Sequence, residues 1–214
     1  MADRTHLTYL FDPLCGWCYG ASPTLDQIAS RSDFKLKLAP IGLFAGEGSR
    51  PMDPSFAAFA WSNDQRIKRL TGQEFSEDYR SQILGDHTRL FDSGPATLAL
   101  TAVVLSAPSR ELEALNAIQR ARYVEGRDTT DFKILSDVLN SLGLSEVAAR
   151  LHLPDESLLD AYRERIKAAR NTSRQFGSNG VPSLIVGEGG HGRLVKTSAL
   201  LAGINALLSE LRAT

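Results

Sequence analysis

The chain has 214 residues, 43% of them hydrophobic and 23% charged, and 24 Lys and Arg against 25 Asp and Glu leave a formal net charge of -1. That balance argues against extensive disorder and against a chain built to coat nucleic acid or an anionic membrane. Two cysteines exclude a disulfide-dense secreted scaffold, and their spacing, Cys15-Gly16-Trp17-Cys18, makes them the most informative residues present.

Met1 to Leu10 (MADRTHLTYL) lacks the long apolar segment after a basic start that marks a secretory leader. The longest apolar stretch, Ala96 to Ala107, is interrupted by Thr97, Thr101 and Ser106 and is too short to span a bilayer. The expectation is a soluble cytoplasmic protein with no nucleic-acid and no membrane partner.

Leu7 to Phe11 (LTYLF) reads as a buried strand ended by Asp12-Pro13. The two cysteines follow, and Ala21, Leu25, Ile28 and Ala29 then recur at helical spacing, with a bend expected at Pro23. Phe34 to Leu38 (FKLKL) alternates as a strand does. A glycine-rich turn from Gly42 to Gly48 leads on; no Gly-Lys-Ser/Thr follows it, so it is not a phosphate loop. From Ser55 to about Phe176 the pattern is helical, with little strand signal. Ala96 to Ser106 is expected as a buried helix with Pro95 in its first turn. Leu112, Leu115 and Ile118 form the next apolar stripe. Asp128 to Asp131 reads as a helix start and Gly143 as that helix's stop. Pro154-Asp155 opens a further helix carrying Leu159, Tyr162, Ile166 and Ala169 on one side. Its basic run, Arg163, Arg165, Lys167, Arg170 and Arg174, is interleaved with acids and reads as a solvated face. Pro182 to Val186 and Arg193 to Val195 suggest a hairpin across a glycine-rich turn. Leu200, Ile204, Leu207, Leu208 and Leu211 suggest one last amphipathic helix. The order β-α-β, helices, β-β-α predicts an α/β domain at residues 1–49 and 171–214, interrupted by a helical insertion at 50–170.

Three readings of the cysteine pair compete. They are small buried hydrophobes, or half a zinc site, or a thiol–disulfide exchange centre. A closed zinc site needs four ligands, there is no second cysteine pair, and His6, His87, His152 and His191 fit no ligand spacing. Exchange explains the spacing: an attacking thiolate needs a second thiol close enough to resolve the mixed disulfide. A helix N-terminus favours the thiolate. Cys15, nearer that end, is then the attacking thiol and Cys18 the buried partner. Trp17 and Tyr19 suggest an apolar rim. Gly180-Val181-Pro182 stands directly before a strand, where a proline is tolerated because its missing donor costs little; a cis Val181–Pro182 bond facing the cysteines is the sharper alternative, and the sequence leaves both open.

The segment Tyr9 to Gly20 (YLFDPLCGWCYG), the proline at 23 and the segment Phe176 to Ser183 (FGSNGVPS) together resemble the DsbA-like branch of the thioredoxin superfamily, in particular its cytoplasmic disulfide oxidoreductases and isomerases. The resemblance implies a thioredoxin-like α/β fold with a large helical insertion. It implies that Cys15 attacks and Cys18 resolves, with Gly16, Trp17, Val181 and Pro182 contacting substrate. It implies no cofactor beyond the Cys15–Cys18 couple, and thiols or disulfides, protein or small-molecule and with glutathione among them, as partners. Trp17 stands where exported members carry a histidine, which weighs against a strongly oxidising role. Sister families with glutathione-transferase or isomerase activity use serine or lack the second thiol. Two alternatives stand beside this reading: a peptide-binding or chaperone module without redox turnover, and a glutathione-dependent transferase or isomerase.

Overall fold

The computed structural model describes residues 4–213; Met1 to Asp3, where the N-terminal reading begins, lie outside them. A four-stranded sheet forms from the two ends of the chain. Its strands are β1 (Thr5–Phe11), β2 (Phe34–Pro40), β5 (Ser183–Val186) and β6 (Arg193–Val195), in the order β2-β1-β5-β6. β1 pairs parallel to β2, with Tyr9 opposite Leu38, and antiparallel to β5, with Tyr9 opposite Leu184. β5 and β6 form the expected hairpin. Between β2 and β5 come β3 (Arg50–Pro51), α2 (Pro54–Thr71), a π-helical turn (Tyr79–Leu84), β4 (Leu90–Phe91), α3 (Gly94–Ser106), α4 (Glu111–Tyr123), α5 (Phe132–Ser141), α6 (Ser145–His152) and α7 (Glu156–Gln175). Helix α1 (Gly16–Ala29) joins β1 to β2, and α8 (Thr197–Leu201) and α9 (Ile204–Arg212) follow β6.

Period-two alternation assigns the two faces of the sheet. Leu7, Tyr9, Phe11, Leu38, Leu184 and Val195 belong to the main core with Leu25 and Ile28 of α1. Leu10, Ala39, Ile41 and Ile185 point the other way and pack with Ala169 of α7. Helix α7 thus crosses residue 170 without interruption. The insertion continues the main core through Leu100, Leu115, Ile118 and Leu139. Burying a Leu or Ile side chain contributes about 1.5–3 kcal/mol, so this shared core dominates the stability of both parts.

Local chemistry fixes the helix ends. Asp53, Asp131 and Asp155 cap α2, α5 and α7, accepting from the N–H groups of Phe56, Lys133 and Leu158. Gly72 takes the left-handed conformation, φ 77°, that ends α2. Pro23 lies inside α1, where it removes the N–H that would bond the Tyr19 carbonyl. That carbonyl is satisfied instead by Ser22 Oγ at 2.8 Å and Gln73 Nε2 at 3.0 Å.

Three expectations need correction. The helical stretch contains the short ribbon β3–β4, whose two-residue strands are too brief to leave a period. The last helix is two: α8 ends near Ala202, and Gly203, at φ 99°, turns the chain into α9. The basic run is not wholly solvated. Arg165 pairs with Glu111 and reaches the Leu38 carbonyl, and Arg170 donates at 2.8 Å to the carbonyls of both Ile41 and Gly42.

Candidate active site around the cysteine pair

Strand β1 ends at Phe11, and a buried aspartate builds the turn that follows. The Asp12 carboxylate accepts from Leu14 N at 2.9 Å, Phe44 N at 3.1 Å and Ser93 Oγ at 2.7 Å. Its backbone carbonyl accepts from Cys15 N at 3.1 Å. Burial raises the Asp12 carboxyl above its ordinary range, and these hydrogen bonds pull partly back. Tyr123 OH, from α4, donates to the Leu14 carbonyl at 2.7 Å. The residues leading into Cys15 are therefore held from the sheet side and from the insertion.

Cys15 is the N-cap of α1, with extended backbone and no side-chain capping bond, and it is 8% exposed. Cys18 lies one turn in, at 1%. The expected order of exposure holds, although both thiols are buried, and neither is in a disulfide. Burial pushes the Cys18 thiol well up, and the neighbouring Cys15 adds to the rise. Tyr9 OH, fully buried, donates to the Cys18 carbonyl at 3.3 Å.

Val181 arrives from the far end of the sequence. The Val181–Pro182 bond is cis. Cys15 Sγ stands 3.9 Å from the Val181 carbonyl oxygen. The preceding loop is tied by Ser183 Oγ donating to Gly180 O at 2.7 Å and Ser178 Oγ donating to the same oxygen at 2.9 Å. Thr197 Oγ1 donates to Pro182 O at 3.4 Å.

Cys15, Gly16, Trp17 and Val181 share the wall of a cavity of about 230 Å³ that is otherwise mostly apolar. Pro182 lies on an adjoining groove with Ser178 and Thr197, which shares Val181 with the cavity. Phe59 on α2, 65% exposed, extends the apolar lip. Trp17 meets this lip and carries the Arg66 guanidinium 5.5 Å from its ring centroid. Tyr19 does not reach it: its ring is buried, stacked on Tyr123 at 4.8 Å and edge-on to Phe75 at 5.3 Å. The rim expected from both aromatics is therefore made by Trp17 and not by Tyr19.

Sequence reasoning misses Asp64. It lies on α2, only 4% exposed, and lines the same cavity. Its signal is positional: Phe56, Ala60, Asp64 and Ile67 lie on one helical stripe, and Asp64 is the only charge on it. Gly16 allows this close approach, because a Cβ there would collide with the Asp64 carboxylate and crowd Ile67 unless they shifted. Among the described residues no group of three or more His, Cys, Asp or Glu is placed to hold a metal ion. Nor is any described helix long and apolar enough to cross a membrane.

The model of the DSBA-like thioredoxin domain matches residues 7–201. The structure is similar to that of the cytosolic disulfide reductase DsbM from Pseudomonas aeruginosa, with a TM-score of 0.85 and 31% identity over 98% of this chain and all of that one. The structure of DsbM with GSH matches with a TM-score of 0.80 and 30% identity, over 96% of each chain. A 2-hydroxychromene-2-carboxylate isomerase shares the fold, at a TM-score of 0.60 and 18% identity over 87% of each chain. Among curated proteins no sequence match was found.

Proposed function

Because the chain belongs to the DSBA-like thioredoxin family and is a thiol–disulfide oxidoreductase, we propose that it works through Cys15 as attacking thiol and Cys18 as resolving thiol, in the reducing direction. The observation that carries the roles is the asymmetry of the pair. Cys15 caps α1 on the cavity wall, 3.9 Å from the Val181 carbonyl, whereas Cys18 is sealed below it. A disulfide entering the cavity meets Cys15 first. Attack forms a Cys15–substrate disulfide and releases the other half as a thiol. Cys18, kept protonated by burial, then gives up its proton and closes on Cys15, releasing the second thiol. Gly16 and Trp17 floor the approach, and the backbone at Val181 and Pro182 offers an extended substrate a strand-like edge.

The similarity to a cytosolic disulfide reductase supports the reducing direction and a cytoplasmic setting. The DsbM structure with GSH supports glutathione, or a glutathione mixed disulfide, as a small-molecule partner. The couple needs no cofactor: the electrons reside in the two thiols. The same reading divides the chain into a thioredoxin-like part at 1–49 and 171–214 and a helical insertion at 50–170. The sheet, drawn from both ends of the chain, supports a discontinuous first part, while α7, unbroken from Glu156 to Gln175, puts the second boundary at a helix end and not at residue 170.

The test is a redox titration in graded glutathione buffers, acid-quenched and mass-tagged on free thiols. A reversible two-electron Cys15–Cys18 couple near thioredoxin's potential, about -270 mV, is the expected result. A couple as oxidising as about -120 mV would reverse the direction, and no couple at all would end the reading. Cys15→Ser is expected to abolish turnover, and Cys18→Ser to accumulate mixed disulfides at Cys15.

A further inference from the structure

Among the described residues, one carboxylate interrupts the apolar wall beside Cys15. Asp64 Oδ2 accepts from Tyr79 OH at 3.1 Å. The carboxylate also lies against Gly16, the residue that follows Cys15, with no room between them for a methyl group. Asp64, Gly16 and Cys15 border one cavity. A buried carboxylate is costly unless something compensates it, and here the compensation is partial. Arg122 on α4 is the nearby cation, but its guanidinium packs on the rings of Tyr79, Phe91 and Tyr123, 5.1–6.0 Å from their centroids. No ion pair joins Arg122 to Asp64 among the described residues, and Arg122 Nε has no hydrogen-bond partner. Tyr79 opens the π-helical turn, a rare geometry that is frequent at functional sites.

We propose that Asp64 is a general acid for the exchange reaction, giving its proton to the substrate sulfur that leaves when Cys15 attacks. The proposal rests on Cys15 being the attacking thiol. Cys15 releases its proton to water and its thiolate forms the new S–S bond. The old S–S bond breaks, and its electron pair stays on the departing sulfur. Asp64 protonates that sulfur, so a neutral thiol leaves, and the Asp64 carboxylate recovers a proton from water. One disulfide is consumed and one formed, and the protons balance.

Burial pushes Asp64 up to about 7, while the Tyr79 hydrogen bond and the Arg122 charge pull it down. It therefore still holds a proton near neutrality and can part with it, as an acid in turnover must. The ionisable groups facing it are Tyr79 from the π-helical turn and Arg122 and Tyr123 from α4, and Cys15 at the head of α1 lines the same cavity.

The experiment compares leaving groups in the Cys18→Ser protein, which isolates the first attack. Formation of the mixed disulfide is followed by acid quench and mass spectrometry with two probes. A nitroaryl disulfide releases a stable thiolate and needs no acid; bis-hydroxyethyl disulfide releases a basic thiolate that does. Asp64→Asn is expected to raise the nitroaryl-to-aliphatic rate ratio by about tenfold or more at pH 7. That is below the usual 10²–10⁴ of general acid–base catalysis, because thiolates leave well. With Asp64 present, the aliphatic rate relative to the nitroaryl rate is expected to fall as pH rises through about 7, and in the Asp64→Asn variant to stay flat. Tyr79→Phe, which removes a hydrogen bond that lowers Asp64, is expected to move that fall to higher pH. Equal losses with both probes would mean that Asp64 only supports the fold, and would overturn the proposal. An unchanged ratio would overturn it too. If the protein with Asp64 and Tyr79 intact fails even with the nitroaryl disulfide, the role of Cys15 is wrong and the acid falls with it.

Discussion

Replacing Asp64 with Asn should reverse part of the protein's pH–stability profile. The side chains are nearly isosteric, and Asn keeps an acceptor for Tyr79 OH, so the change isolates the charge. The folded state holds the Asp64 proton up to about pH 7, whereas an ordinary aspartate releases it near 3.8. With the folded value raised, the stabilisation is complete below the ordinary value and is lost as pH rises through the folded one. At about 1.4 kcal/mol per pH unit, the interval corresponds to about 4 kcal/mol across the full range, and about 3 kcal/mol between pH 4.5 and 8. Urea unfolding under reducing conditions, followed by circular dichroism at steps across that window, measures it. The stability of Asp64→Asn minus that of the parent should climb by about 3 kcal/mol as pH rises, and level off above pH 7.5. Taking the difference cancels Asp12 and Glu111, whose burial also raises them. A difference flat to within about 0.5 kcal/mol would show that Asp64 is not desolvated, and the reasoning from its burial would fail.

Other substitutions test separate joints. Gly16→Ala should lower stability by about 1–3 kcal/mol, because its methyl group strikes the Asp64 carboxylate and Ile67. A thermal melt showing no loss would contradict the close approach of α1 to α2. Asp12→Ala leaves the N–H groups of Leu14 and Phe44 without their acceptor, and at about 1–3 kcal/mol per buried orphan should be among the most damaging polar changes. A denaturation midpoint within error of the parent would refute its place in the turn before Cys15. Arg170→Met removes two bonds to the carbonyls of Ile41 and Gly42 and should cost about 2–3 kcal/mol, whereas Lys167→Met, exposed on the same helix, should stay within about 0.5 kcal/mol. Equal effects would return the whole basic run to a solvated face.

What the sequence discloses follows the range of the interactions concerned. The pair Cys15 and Cys18 and the tripeptide Gly180-Val181-Pro182 are marked within a few residues, so both stand out as candidates, although the cis bond at Pro182 is not itself legible in the sequence. The capping aspartates at 131 and 155, and the strand Leu7 to Phe11, can be read directly. Asp64 has no such local mark, since its significance comes from Gly16, 48 positions earlier, and from Tyr79 in a different element. Tyr19 lies next to Cys18 in sequence, yet packing among Phe75 and Tyr123 turns it away from the cavity. Arg165 and Arg170 look like surface charge until α7 is laid against β2 and the residues that follow it, where backbone carbonyls need donors. The break at Gly203 is hidden because leucines on both sides of it keep helical spacing.

The arrangement of the sheet also imposes a schedule. β1 is one of its two inner strands, and its neighbour β5, the other, begins only at Ser183. At roughly 5–20 residues per second, a ribosome takes roughly 10–35 s to travel from one to the other. Throughout that interval β1 has only β2 beside it, and Cys15 has emerged without the carbonyl of Val181. The insertion, whose helices rely on nearer contacts, can settle while the sheet waits. A growing chain therefore displays two thiols on an unfinished platform, and the groove that would select their disulfide partner is closed only by the last part of the sheet to be made.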